Sequence, residues 1–425
     1  MNKRVEQDFK TLNGEITVPA DKSMSHRAVI FSSLARGKSI ITNFSDGQDP
    51  YSSLEICRNL GVDIEISDSI LKINSSGKLN SSFSTLNCRN SGTTMRLMTG
   101  VLASQNFNSN LIGDESLSKR PMKRIINPLM LMGAKIQSED YHAPLKIFAS
   151  HLSGINYESP IASAQVKSCM LLAGLNAEGK TIYKEPYLSR NHSEILLKHM
   201  GASIIAEGTT VSIEKSELEP ININIFGDIS SAAFFIVATL IVPGAKILLK
   251  NVGLNPTRSG IIDVVQKMGA TIEILDKRNV CGEIVGDIKV EYSNNLRTCK
   301  LSGELIPRLI DEIPIICVLA TQVDGETVIK DAQDLRNKES DRISAIVNEL
   351  KKLGADIEET SDGMKIRGKK ALTGGIEVES YRDHRLAMSL YVAGLITREQ
   401  ISIKDFDWVN ISFPTFEKLV ESLKI

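Results

Sequence analysis

Asp21-Lys22-Ser23-Met24-Ser25-His26-Arg27-Ala28-Val29-Ile30-Phe31 sets a short charged tip directly against an apolar run. An apolar helix body has to be buried, so the tip marks where a core helix begins. The arrangement returns five times, at Asn90-Ser91-Gly92-Thr93-Thr94, Ser163-Ala164-Gln165-Val166-Lys167, Gly227-Asp228-Ile229-Ser230-Ser231, Asp311-Glu312 and Arg382-Asp383-His384-Arg385. A helix start offers unpaired N–H groups and a partial positive charge. Several starts brought together would bind anions.

A second repeat supports the first. Leu60-Gly61-Val62, Met132-Gly133-Ala134, Met200-Gly201-Ala202, Met268-Gly269-Ala270 and Leu353-Gly354-Ala355 each close an amphipathic run. Glycine just past such a run is a C-cap signal. An alternating segment follows in most copies, as in Thr271-Ile272-Glu273-Ile274-Leu275, and reads as a strand. A sixth amphipathic run, 416–425, stops where its glycine would fall. The helix starts near 23, 91, 163, 229, 311 and 383 are spaced by 68, 72, 66, 82 and 72 residues, longer than solenoid repeats.

Six units in 425 residues divide into two domains of three. The first strand, Gly14-Glu15-Ile16-Thr17-Val18-Pro19, precedes the first unit, and the last unit lacks its final strand. Returning the N-terminal strand to the C-terminal domain gives one domain over 21–226 and a discontinuous one over 1–20 plus 227–425. The expected fold class is α/β (α+β), with small-molecule chemistry in a cleft between the domains.

Hydrophobic content of 42% and 24% charge fit a globular protein, and a net charge of −1 gives no basic field for nucleic acid or anionic lipid. Neither partner is expected. The six cysteines lack C-x-x-C spacing and read as reduced, mostly buried thiols of a cytoplasmic chain. The opening MNKRVEQDFK has no apolar h-region, so no secretory signal is expected, and no apolar run reaches membrane-spanning length. There is no H-E-x-x-H or paired C-x-x-C for a metal, no G-x-S-x-G elbow, no Walker loop and no G-x-G-x-x-G. No metal or cofactor is expected.

Lys22, Ser23 and Arg27 combine a point charge, a hydroxyl and a bidentate fork, a set that suits phosphate or carboxylate. Solvated surface charge is the usual fate of Lys and Arg, but here the next residues enter the core. Gly92 would let a ligand approach the backbone closely; Ser91 or Thr93 would serve equally as an ordinary cap. Lys119-Arg120 stands just before Pro121, which can start a helix. Ser163-Ala164-Gln165 offers neutral donors. Ser189-Arg190-Asn191-His192-Ser193-Glu194 also reads as a loop and capping box. Asp311, entering a buried helix, is a candidate base or a helix-dipole acid. Lys338 and Arg342 at i and i+4 would share one helical face, flanked by Glu339 and Asp341.

Together these segments resemble the 5-enolpyruvylshikimate-3-phosphate synthase family, in wording close to its bacterial class II branch. DKSMSHR (21–27), RNSGTTMR (89–96), GDESLSKRPM (113–122), SAQVKS (163–168), SRNH (189–192), GDISSAAFF (227–235), IDEIP (310–314), LRNKESDR (335–342) and DHRLAM (383–388) fall in family order, and the match runs from Gly14 to Pro414. The resemblance implies two domains, each of three β-α-β-α-β-β units. It implies transfer of the enolpyruvyl group of phosphoenolpyruvate to the 5-hydroxyl of shikimate-3-phosphate, with loss of phosphate, in the shikimate pathway of aromatic amino acid biosynthesis. The implied shikimate-3-phosphate residues are Lys22, Ser23, Arg27, Ser163, Ala164, Gln165, Arg190, Asp311 and Lys338. Those for phosphoenolpyruvate are Lys22, Gly92, Arg120, Gln165, Arg342 and Arg385. The implied catalytic groups are Asp311 as base, with Glu339 and Lys22 as candidates for protonating the methylene carbon. A cytoplasmic monomer without cofactor, and a target of glyphosate, is the family expectation. Ala20 replaces a frequent Gly, Asn337 a frequent Val, and Ile411 stands where some members carry a Lys.

The rival within the same fold is the sister transferase acting on UDP-N-acetylglucosamine. Its members carry a Lys-Asn pair at the first tip and a reactive loop Cys. Here the pair is Lys22-Ser23, and residues 113–122 hold no Cys.

Overall fold

A computed structural model describes residues 2–82 and 84–425. The chain forms two compact bodies. Body I comprises Ala20–Ile225 with Asn279–Glu283, and body II comprises Met1–Pro19, Phe226–Arg278 and Ile284–Ile425. Ala20 therefore groups with body I and Phe226 with body II. The short segment 279–283, which the sequence division kept in the discontinuous domain, groups with body I.

Each body is built on three buried helices. In body I they are α1 (Lys22–Leu34), α2 (Gly92–Ala103) and α3 (Ala164–Gly174). In body II they are α4 (Ile229–Ile241), α5 (Ile313–Thr321) and α6 (His384–Gly394). All but Ser231 of the thirteen residues of α4 are buried. Its Phe234 and Phe235 meet the rings of Phe413 and Phe416 at centroid distances of 5.8–6.0 Å. Each such ring removed from water contributes about 1.5–3 kcal/mol.

The helices begin where the charged tips stand because the tips cap them. Asp21, Ser91, Ser163, Asp228 and Asp383 each accept an N–H from the first turn of the helix they precede. Glu312 occupies the cap position of α5 without a side-chain cap bond. The amphipathic helices end as their glycines predict. Gly201 has φ 85°, its N–H donates to Lys198 O, and the Ala202 N–H donates to Leu197 O. This paired bonding closes a helix through a left-handed residue that glycine adopts without a Cβ penalty. Gly61, Gly133, Gly269 and Gly354 repeat both the positive φ and the two bonds.

Among the described residues six small sheets cover the helices, five of four strands and one of three. In the sheet beside α3, Asn156–Glu158 pairs in parallel with Thr181–Lys184, which pairs antiparallel with the hairpin Ile204–Glu207 and Thr210–Ile213. Two sheets take their leading strand from far along the chain. Asn222–Asn224 pairs in parallel with Arg36–Thr42 in body I, and Asn13–Thr17 pairs in parallel with Lys246–Gly253 in body II. The three-stranded sheet combines Glu377–Glu379 and Ser402–Lys404 with Lys3–Arg4.

Candidate active site

In body I, Lys22 is the first residue of α1, and its Nζ lies 3.0 Å from Asp49 Oδ2. One turn on, the buried Arg27 donates from Nε to Ser193 Oγ (2.8 Å), from Nη2 to Ser168 Oγ (2.9 Å) and from Nη1 to Ser23 O (3.0 Å). All three of these acceptors are neutral. Burial pushes its guanidinium down to about 10, against the raising pull of Glu194 and Asp21. Beside it His26 is fully buried. Its Nδ1 meets Ser53 Oγ at 2.8 Å, Ser53 Oγ meets Thr94 Oγ1 at 2.8 Å, and the Thr94 hydroxyl donates to Ser91 Oγ at 2.7 Å. Desolvation drives His26 down to about 3, so the ring is neutral.

Gly92 opens α2. A Cβ there would stand 2.7 Å from Arg96 Nη1 and 3.5 Å from Arg120 Nη1. Arg96 Nη1 donates to Gln165 Oε1 (2.7 Å), Arg124 Nη2 lies 3.4 Å from the same oxygen, and Gln165 Nε2 donates to Thr93 Oγ1 (3.1 Å). The Gln165 amide is thereby oriented. Arg120 donates from Nη2 to Asn90 Oδ1 at 2.7 Å and to Ser116 Oγ at 3.1 Å. Gly92, Arg120 and Gln165 therefore form one cluster. Ser163 and Ala164 open α3 above Ser168, which bonds Ser193 Oγ at 2.6 Å.

The segment bearing Arg190 is held by a buried ion cluster. Lys167 Nζ lies 2.7 Å from Glu185 and 2.8 Å from Glu194, and it donates to Ser189 O at 3.1 Å. The Ser189 N–H donates to Glu185 at 2.8 Å. His192 Nδ1 meets Glu283 Oε1 at 2.7 Å.

In body II the centre is Asp311. Arg342 Nη1 lies 3.3 Å from its Oδ1, Lys338 Nζ 3.9 Å, and Arg258 Nη1 and Arg385 Nη2 lie 3.9 and 4.0 Å from Oδ2. Arg342 is buried, with Nε at 2.7 Å and Nη2 at 3.3 Å from the two oxygens of Asp383, and Nη2 at 2.6 Å from Glu339. Burial works against the Arg342 charge. Asp383, Glu339 and Asp311 outweigh it and hold the group above its ordinary range. Burial likewise works against the Asp383 carboxylate, and the Arg342 charge outweighs it, holding Asp383 low. Asp383 also caps the Arg385 N–H at 2.9 Å and accepts from Ser340 Oγ at 3.1 Å. Arg258 reaches Asp228 (3.1 Å), Ser230 (2.6 Å) and Glu312 (3.3 Å).

Two sequence expectations need correction. Lys338 and Arg342 do not share a helical face. Lys338 is extended (φ −88°, ψ −155°) after a 3-10 turn, and Asp341 caps a helix that begins at Arg342. They meet through Asp311 instead. Pro121 does not open a helix either, since the helix that follows runs Lys123–Leu131. Arg258, Arg96, Arg124, Asp49, Lys167, Glu185 and Glu283 had no role assigned from sequence. Their signal is three-dimensional pairing, except that Arg96 and Lys167 sit in the quoted motifs.

No group of three or more His, Cys, Asp or Glu able to hold a metal exists among the described residues. No helix among them is long and apolar enough to cross a membrane.

Comparison with known proteins agrees with this construction. The profile of EPSP synthase (3-phosphoshikimate 1-carboxyvinyltransferase) matches residues 7–419. The 3-phosphoshikimate 1-carboxyvinyltransferase of Thermodesulfovibrio yellowstonii is 52% identical over 428 residues, covering 99% of each chain. That of Bacillus subtilis is 50% identical over 412 residues, covering 96% of each. A solved EPSP synthase from Acinetobacter baumannii superposes with a TM-score of 0.89 at 41% identity, covering 100% of this chain and 98% of that one. The chain belongs to the EPSP synthase (3-phosphoshikimate 1-carboxyvinyltransferase) family.

Proposed function

We propose that the chain transfers the enolpyruvyl group of phosphoenolpyruvate to the 5-hydroxyl of shikimate-3-phosphate and releases phosphate. The carrying observation is Asp311, a carboxylate within 4.0 Å of four cationic groups. Both substrates are polyanions, and positioned cations offset their repulsion and orient them.

In this reading Lys22, Ser23, Arg27, Ser163, Ala164, Gln165 and Arg190 of body I, with Asp311 and Lys338 of body II, hold shikimate-3-phosphate. Lys22, Gly92, Arg120 and Gln165, with Arg342 and Arg385, hold phosphoenolpyruvate. Asp311 accepts the 5-hydroxyl proton as that oxygen bonds to C2 of phosphoenolpyruvate. The methylene carbon takes a proton from Lys22 or Glu339, giving a tetrahedral ketal. Loss of a methyl proton then re-forms the double bond, the C2–O bond to phosphate breaks, and phosphate departs. The protein works in this reading as a cytoplasmic monomer.

Phosphate release tests this with phosphoenolpyruvate and each acceptor in turn. Release with shikimate-3-phosphate and none with UDP-N-acetylglucosamine is expected. The reverse pattern overturns the reading.

A further inference from the structure

We propose that Glu349 and Tyr381 are positioning residues for the phosphoenolpyruvate-binding arginines of body II; the inference rests on the reading above, in which Arg342 and Arg385 hold that substrate. The chain enters α6 through an unusual turn. Tyr381 and Arg382, neither of them glycine, have φ of 53° and 55°. L residues are disfavoured in this left-handed region, and two in succession persist only where neighbours over-determine them.

The neighbours are on hand. Ser380 and Asp383 close the turn through Asp383 N–H to Ser380 O at 2.9 Å, and Ser380 Oγ donates to Asp405 O at 3.2 Å. Arg382 Nε lies 3.9 Å from Asp405, and a further hold comes from Glu349, which is 1% exposed. Its Oε1 accepts the Tyr381 hydroxyl at 2.9 Å, and its Oε2 accepts the Glu379 N–H at 3.0 Å. Lys352 Nζ, at 2.8 Å, balances the charge. Burial, then the bond to Glu349, pushes the Tyr381 hydroxyl up to about 12, so it stays a donor.

Glu349 lies two turns beyond Arg342 on the helix Arg342–Lys352, and so on the same face. That one helix grips both ends of the segment, Arg342 at Asp383 and Glu349 at Glu379 and Tyr381. Arg385 follows two residues later, its N–H bonded to Asp383. The shape of the turn therefore fixes where the Arg385 side chain departs. Glu349 acts through the turn, not on the substrate.

Initial rates of the full-length enzyme, varying each substrate, test this for Tyr381→Phe and Glu349→Gln. Tyr381→Phe removes one hydroxyl, and Tyr381 is only partly buried, so the variant folds. Its KM for phosphoenolpyruvate should rise about fivefold, the worth of one such bond, with little change for shikimate-3-phosphate. Glu349→Gln should rise in the same direction. Tyr381→Asn accepts the left-handed backbone but cannot reach Glu349, and should match Tyr381→Phe. Unchanged KM values in Tyr381→Phe, equal rises for both substrates, or a lowered melting temperature alone would reduce the tie to a structural one and overturn the inference. Wild-type KM in Tyr381→Asn would do so too. Arg385→Lys, measured alongside, separates the two layers: if it leaves the phosphoenolpyruvate KM unchanged, the underlying site reading fails.

Discussion

The two bodies share one repeated architecture, but Arg27 of body I and the buried arginines of body II are partnered differently. In body I the buried Arg27 spends its bonds on serine hydroxyls and a carbonyl. Its charge is left largely uncompensated by those partners, which suits an anion. In body II, Arg342 meets three carboxylates, Asp383, Glu339 and Asp311, and Arg258 meets Asp228 and Glu312. Their charges are matched in place. In the proposed reading they also give Asp311 a rigid setting as a base. In the proposed reading Arg27 is set to attract an anion, and the cluster around Asp311 to hold a reacting group still.

Asp311→Asn keeps the shape of the carboxylate and removes the base. Turnover should fall by about 10²–10⁴ while shikimate-3-phosphate still binds, as single-turnover phosphate release and calorimetry would show. Arg342→Met leaves Asp383 buried and uncompensated. Breaking a buried pair in this way costs about 3–5 kcal/mol, readable in denaturant unfolding. A loss no larger than that of a surface pair would mean the ionic matching of body II is not structural. Arg27→Lys keeps the charge but gives up the planar fork. The Kd for shikimate-3-phosphate should weaken about tenfold, read by calorimetry on the folded variant.

The last effect is one of pH. His26 is neutral in the fold with its value near 3, whereas the unfolded ring titrates near 6.5. Between these values the unfolded chain binds the extra proton, so stability falls as pH drops from 6.5 toward 3. His26→Asn should lower that slope by about one proton, measured by unfolding across the window. An unchanged slope would remove His26 as the source.

Much of this plan is legible in the sequence because it is local. A charged tip, its cap and the apolar run behind it lie within a dozen residues, as in Asp228 and α4. The glycine of Met200-Gly201-Ala202 needs only its own helix to define it. Asp311 reads as a candidate base at its helix start and Lys338 and Arg342 as a pair by spacing, but the roles of these residues, of Glu339 and of Arg385 rest on the family resemblance. Lys338 and Arg342 show why: four residues apart, they looked like helical neighbours, yet the Asp341 cap starts the helix between them. The partners Asp49 for Lys22, Glu185 and Glu194 for Lys167, and Glu349 for Tyr381 were not legible. Tertiary packing chooses among many carboxylates of equal local character, and nothing in the chain marks the one chosen.

The contrast between an anion-attracting Arg27 and a fixed base at Asp311 is tested most directly by Arg27→Lys and Asp311→Asn side by side. Each would be measured for the Kd of shikimate-3-phosphate and for the single-turnover rate of phosphate release at saturating substrates. The account predicts a crossed pattern: Arg27→Lys weakens binding and largely keeps the rate at saturation, whereas Asp311→Asn keeps binding and loses the rate. Parallel losses of binding and rate in both variants would contradict it.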